Sequence, residues 1–185
     1  MYYKRSTGVI LVWKSTDVPS WVKWVHHSEG KTHCPECLKL DGCFFTEDNH
    51  PTWPHHPFCH CTLESVDYAV VLSSVTVDSA YSKYDPFLFN TNGQYTHGKE
   101  RMLNSWGYFA DDIPWLKAEI ERQSLEKYLA GNYELDKLDT WGQRIDIQIE
   151  LPRKIGEGTV TFWSGWLVCP NGHLQMATPY GDDCV

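Results

Sequence analysis

The run Cys34-Pro35-Glu36-Cys37-Leu38-Lys39-Leu40-Asp41-Gly42, answered by Pro54-His55-His56-Pro57-Phe58-Cys59-His60-Cys61, decides how the first third of this chain folds. Five of the seven cysteines and seven of the nine histidines lie within the first 61 residues. Cys34-x-x-Cys37 and Cys59-x-Cys61 are two short thiol clusters 21 residues apart, and four thiolates so arranged can surround one tetrahedral Zn²⁺ with no open position. His56 and His60 are alternatives for one thiolate in a Cys3His sphere, because a CxC pair is sterically tighter than CxxC. The expected metal ligands are therefore Cys34, Cys37, Cys59, Cys61 and His56, around a structural zinc ion. Disulfides or free thiols are the competing reading. Redox catalysis ranks last, since no βαβ pattern frames the CxxC.

Length and composition bound the rest. A chain of 185 residues suits one ordinary domain or two small ones. Its apolar share of 42%, with nine Trp, ten Tyr and seven Phe, belongs to a folded protein rather than a disordered one. No apolar run approaches the roughly 20 residues needed to span a bilayer. A cytoplasmic product without a signal peptide or membrane contact is the expectation. A formal charge of −8 disfavours broad, non-specific binding of nucleic acid, which needs clustered Lys and Arg.

Before the cysteines, Gly8 to Trp13 reads as a strand. Trp21, Trp24 and Val25 then recur at the helical spacing i, i+3, i+4, giving an amphipathic segment whose apolar face packs on the metal knuckle. Residues 26–68 are poor in regular-structure signals and rich in Pro, His and Gly, so a metal staple is needed to hold them.

The pattern C-x-x-C-x-x-L-D-G followed by P-x-H-P-x-C-x-C, here Cys34 to Gly42 and Pro54 to Cys61, resembles the C-terminal knuckle of phage head-morphogenesis proteins of the Mu and SPP1 minor-head type. Trp24 also sits where that family often carries a tryptophan. The resemblance covers about residues 20–68. It departs from the family at Phe58-Cys59-His60-Cys61, where Asn-Cys-Arg-Cys is customary, and lacks the long helical body that precedes the knuckle there.

Residues 69–80 read as a strand or an extended connector, which places a boundary between a zinc-knuckle module, 1–68, and an α+β domain, 76–185. The second part starts with a short helical turn cut by Pro86. A helix from about Gly98 to Trp106 carries Lys99 and Arg101. Asp111-Asp112-Ile113-Pro114 is an N-terminal helix signal. It opens a helix to about Ala130 whose inner face is Ile113, Leu116, Ile120, Leu125, Tyr128 and Leu129 and which stops at Gly131-Asn132. Ile145 to Leu151 alternates strictly, and Val160, Phe162, Trp166 and Val168 share one parity. Asn171-Gly172 signals a type I′ hairpin before a third strand, His173 to Thr178. The predicted fold class is α+β, with two helices packed on an antiparallel β-meander after the small zinc-stapled module.

Residues 81–180 resemble a functionally uncharacterised bacterial and phage domain that occurs alone or at the end of toxin-like proteins. The matching residues are Lys83 with Phe87-Leu88-Phe89-Asn90, Gly98-Lys99-x-Arg101, Trp106-Gly107-Tyr108, Gly142-x-Arg144, Ser164-Gly165-Trp166 and Thr178-Pro179-Tyr180. By fold-level analogy the layout is similar to the barnase, EndoU, colicin and RelE group of ribonuclease toxins. That resemblance implies a phage- or prophage-encoded toxin-like protein with metal-independent ribonuclease activity, RNA as substrate and an immunity protein as partner.

Such chemistry needs a base, an acid and cations at the phosphate. Lys83, His97, Lys99, Arg101, Arg144, His173, Thr178 and Tyr180 are the candidates, and Lys83, Lys99, Arg144, Thr178 and Tyr180 form the expected catalytic set. Each has a plainer reading: solvated helix charges for the lysines and Arg101, pairing with Asp139 or Asp146 for Arg144, capping or packing for Thr178 and Tyr180. Residues 69–185 hold 10 Lys/Arg against 16 Asp/Glu, which opposes an RNA substrate. The second function class is therefore a non-enzymatic phage adaptor, docking on head or portal proteins through the knuckle, in the host cytoplasm or the virion.

Overall fold

The computed structural model of the chain describes residues 5–6, 9–10, 18–27, 34–93 and 98–180, with the backbone alone for 5–6, 9–10 and 178–180. Of the expected strand Gly8 to Trp13, only Val9–Ile10 is described: it forms β2, paired antiparallel with β1, Arg5–Ser6. The remainder lies outside the described residues, as does His97.

The Cys-rich segment builds more regular structure than its composition suggests. Trp21–His26 is not helical but forms β3, the centre of a three-stranded antiparallel sheet flanked by β4, Phe44–Thr46, and β5, Cys61–Val66. A central strand buried on both faces need not alternate, so Trp21, Val22 and Trp24 are all buried and their spacing imitates a helix. Between β3 and β4 runs α1, Pro35–Leu40, with Pro35 in its first turn and Cys37 and Leu40 facing inward.

Of the stretch 69–80 expected to be extended, the first part is helical instead, and only Thr76–Asp78 is a strand. Tyr68–Ser74 forms α2, with the Asp67 side chain accepting the Ala69 N–H at 2.7 Å. Valines at 70 and 71 favour a strand, but Tyr68, Val71, Leu72 and Val75 bury one stripe at i, i+3, i+4, i+7, and the Asp67 cap adds about 1 kcal/mol. After α2 comes β6, Thr76–Asp78.

The remaining elements follow the sequence closely. Lys99–Ser105 is α3 and Ile113–Leu129 is α4. All of the expected inner face of α4 is buried except Leu125, which is half-buried, and Gln123 and Ser124 join it. Strands β8, Gly142–Pro152, β9, Thr159–Cys169, and β10, His173–Tyr180, form the antiparallel meander. Its register sets Ile145 opposite Trp166, Ile149 opposite Phe162 and Leu151 opposite Val160, so the buried face is mainly apolar, with Ser164 opposite Ile147 and Gln143 opposite Val168 as its buried polar members. The turn has Asn171 at φ 59° and Gly172 at φ 76°, as an Asn-Gly hairpin requires.

Two strands enlarge this meander. Glu134–Asp139 forms β7, antiparallel to β8, and β6 pairs in parallel with β10, giving the order β6-β10-β9-β8-β7. The fold is α+β. Beyond the end of β7 pairing, the free edge of β8 is closed by α4: the Gln123 amide donates to the Glu150 carbonyl at 2.6 Å and accepts the Glu150 N–H at 3.0 Å. An edge so capped offers no template to another strand.

The two parts of the chain meet along a buried seam. The Tyr128 hydroxyl donates to the Phe44 carbonyl, and the Tyr133 hydroxyl accepts the Thr46 N–H at 2.9 Å while donating to the Asn49 carbonyl at 2.7 Å. Trp21 meets Tyr128 edge-on at 5.2 Å between centroids, and the Asn171 N–H donates to the Gly42 carbonyl at 2.8 Å. The buried apolar side chains on both sides belong to one continuous core.

Candidate metal centre

Three elements converge at the cysteines: α1 supplies Cys34 at its N-terminal boundary and Cys37 on its inner side, the loop before β5 supplies His56 and Cys59, and β5 opens on Cys61. Cys37 is the hub. Its Sγ lies 3.8 Å from Cys59 Sγ and 3.4 Å from His56 Nε2. Donor atoms of Cys34, Cys37 and His56 lie within 4.8 Å of one another, and so do those of Cys37, Cys59 and Cys61. All five sequence-predicted ligands are thus brought together, and this arrangement can hold a metal ion. His60 is exposed and belongs to neither set.

The ring of His56 is oriented for ligation. Its Nδ1 stands 2.9 Å from the Pro57 carbonyl, an acceptor only, so Nδ1 carries the proton and Nε2 presents a lone pair toward Cys37. The Trp53 indole N–H donates to the Cys61 carbonyl at 3.0 Å, tying down the CxC backbone. His26, on β3, places Nδ1 at 3.4 Å from Cys61 Sγ, a contact that the sequence did not suggest because His26 becomes adjacent only through β3–β5 pairing.

The electrostatics of the thiols reflect crowding. Burial pushes the Cys37 thiol well above its ordinary value, helped by hydrogen bonds with Cys61, Cys59 and Cys34. Burial also raises Cys61, against the pull of the Trp24 indole N–H and Cys37. At Cys59 burial acts upward too, but backbone hydrogen bonds from Cys61 and His55 outweigh it and the net direction is down. Sulfurs this close cannot all ionise without a cation among them. Trp24 is wholly buried, and its indole N–H, though without a hydrogen bond of regular geometry, lies close enough to Cys61 to act on that thiol.

Each expected catalytic residue whose side chain is described makes a contact of its own. Lys83 donates to the Ala177 carbonyl at 2.7 Å. Lys99 opens α3 and lies 4.7 Å above the Phe87 ring, and Arg101 is exposed. Arg144 stands with its Nε 3.2 Å from Asp139 Oδ2, one of the two partners anticipated, and His173 Nδ1 lies 3.0 Å from the Thr76 hydroxyl. For Thr178 and Tyr180 only the backbone is described: they pair with Gly165 and Trp163 on β9. An open cleft of about 500 Å³ lies beside the β8 edge, lined by Lys127, Tyr133, Glu134, Gln148, Glu150 and Trp163 among others, and Lys83, Lys99 and Arg144 are not among its lining residues. Of the two tryptophans of β9, Trp166 is buried and Trp163 lines this cleft.

No helix among the described residues is long and apolar enough to cross a membrane. Comparison with protein-family models, with curated proteins and with solved structures finds no match to this chain.

Proposed function

We propose that the Cys/His centre binds a structural zinc ion and that the protein is a non-enzymatic phage adaptor of head morphogenesis, with the zinc-held segment as its docking part. The observation that carries the zinc reading is the spacing around Cys37. Zn–S bonds of about 2.3 Å and Zn–N bonds of about 2.0–2.1 Å in a tetrahedron give S···S edges of about 3.8 Å and S···N edges of about 3.5 Å. The distances from Cys37 to Cys59 and to His56 are 3.8 and 3.4 Å. A soft, thiolate-rich donor set on short, rigidly held elements suits zinc rather than calcium or magnesium.

Two further observations support an adaptor over a ribonuclease. The cations available for phosphate are dispersed and drawn into local contacts, with Lys83 on Ala177, Lys99 on Phe87 and Arg144 on Asp139. Apolar side chains are instead displayed: Leu38, Trp53 and Phe58 around the centre, with Phe58 at 92% exposure, and Phe109, Trp115 and Ile155 on the second part. Such residues are anchors of protein contacts. The ribonuclease reading rests on the resemblance of residues 81–180 alone.

The test uses the full chain, purified under reducing conditions. Bound zinc in elemental analysis, normal growth of the expressing bacterium and intact RNA after incubation are the expected results. Absence of zinc overturns the metal reading, and RNA cleavage lost on Lys83→Ala or Arg144→Ala overturns the adaptor.

A further inference from the structure

The donors at the centre outnumber the places in one closed sphere. Cys34, Cys37, His56, Cys59 and Cys61 are five, and a tetrahedral structural site takes four. Cys34 is the member with another allegiance. Its Sγ donates to Glu36 Oε2 at 3.0 Å, and Cys34, Glu36 and His55 form a third group of donor atoms within 4.8 Å of one another. All three are partly exposed, in contrast to buried Cys37 and Cys61. His56 shares a donor group with Cys34 and Cys37, and its ring is aimed at Cys37, the hub of the inner thiols, because its Nδ1 is held by the Pro57 carbonyl and its Nε2 faces Cys37.

We propose that Cys34, Glu36 and His55 bind a second divalent transition-metal ion at the surface, beside an inner ion held by Cys37, His56, Cys59 and Cys61. This assignment rests on the zinc reading of the inner site. A thiolate, a carboxylate and an imidazole are the mixed borderline set that zinc and its neighbours accept. Three protein ligands leave a fourth position for solvent or for a donor from another molecule, as in open rather than structural sites. On binding, Cys34 releases its thiol proton to solvent, and its thiolate with the Glu36 carboxylate neutralises the ion's two charges. Partial exposure makes this ion the more readily exchanged of the two.

The experiment is native mass spectrometry on the reduced full chain, loaded with zinc sulfate and desalted. Two zinc ions per chain are expected, falling to one in Glu36→Gln, in His55→Ala and in Cys34→Ser. Circular dichroism melting of the same variants, expected to stay close to wild type, shows that they remain folded around the inner ion. A single ion in the wild type, two ions retained in the Glu36→Gln/His55→Ala double variant, or loss of all metal in Cys34→Ser each overturns the second site and leaves the structural zinc reading standing. A wild type that takes up no zinc overturns both.

Discussion

Gly172→Ala probes the seam on which the Cys-rich segment depends. Gly172 sits at φ 76°, and a Cβ built there lies 3.0 Å from both Phe44 Cδ2 and Val75 Cγ2, tighter than side-chain contacts normally run. The left-handed backbone costs an L-residue about 1–2 kcal/mol. Forcing a methyl between two buried side chains adds about 1–3 kcal/mol. Gly158 supplies the control: its φ is 90° but nothing lies within 4 Å of its Cβ position, so Gly158→Ala bears the backbone cost alone. A domain of this size loses about 2–4 °C of Tm per kcal/mol, so the drop should be about 4–20 °C for Gly172→Ala and about 2–8 °C for Gly158→Ala. The assay is thermal melting by circular dichroism at one fixed zinc concentration, since bound metal itself shifts Tm. Because Phe44 belongs to β4 and Val75 follows α2, Gly172→Ala should also weaken zinc retention. Equal losses of Tm in the two variants would refute the packed seam.

Two other outcomes follow from side-chain networks on α4. Glu119 is held below its ordinary pKa, first by hydrogen bonding to Arg122 and then by Gln123, against the raising effect of burial. A depressed carboxylate stabilises the fold fully above its unfolded value of about 4.3, and that contribution is lost as pH falls through the folded value. Wild-type stability should therefore decline more steeply than that of Glu119→Gln between about pH 5 and pH 3, as followed by urea denaturation, and parallel slopes would contradict this. Gln123→Ala removes both bonds to the Glu150 backbone, leaving two part-buried edge groups unpaired, and should cost about 1–2 kcal/mol. Light scattering at raised concentration should also show self-association through the uncovered edge of β8, and a variant that stays monomeric with unchanged stability would remove Gln123 as the cap.

Much of the architecture was legible because it rests on local rules. Asp111-Asp112-Ile113-Pro114 and Gly131-Asn132 mark both ends of α4, and strict alternation from Ile145 to Leu151 announces a half-buried strand. The candidate metal donors were legible for another reason: cysteines two and three apart bring the thiols of each pair together through backbone geometry alone, although the meeting of Cys34 and Cys37 with Cys59 and Cys61 needed the fold. Where local signals conflicted, the reading went astray. The valines of α2 suggested a strand, while the Asp67 cap and the stripe through Tyr68, Val71 and Leu72 made a helix.

By itself, then, the sequence determined the α+β class, the long helix, the meander and the cysteines of the Cys/His centre, while the structure decided for His56 over His60. Only the tertiary structure decided that β3 is a strand, that β6 joins the sheet in parallel, and that His26 and Trp24 come to stand against Cys61. It also showed Lys83, Lys99 and Arg144 each occupied by a separate neighbour. The physical reason is range: caps, turns and alternation act within one helical turn or one hairpin. A central strand's pairing and the company a side chain keeps are set by segments tens of residues away, through burial that no local window contains.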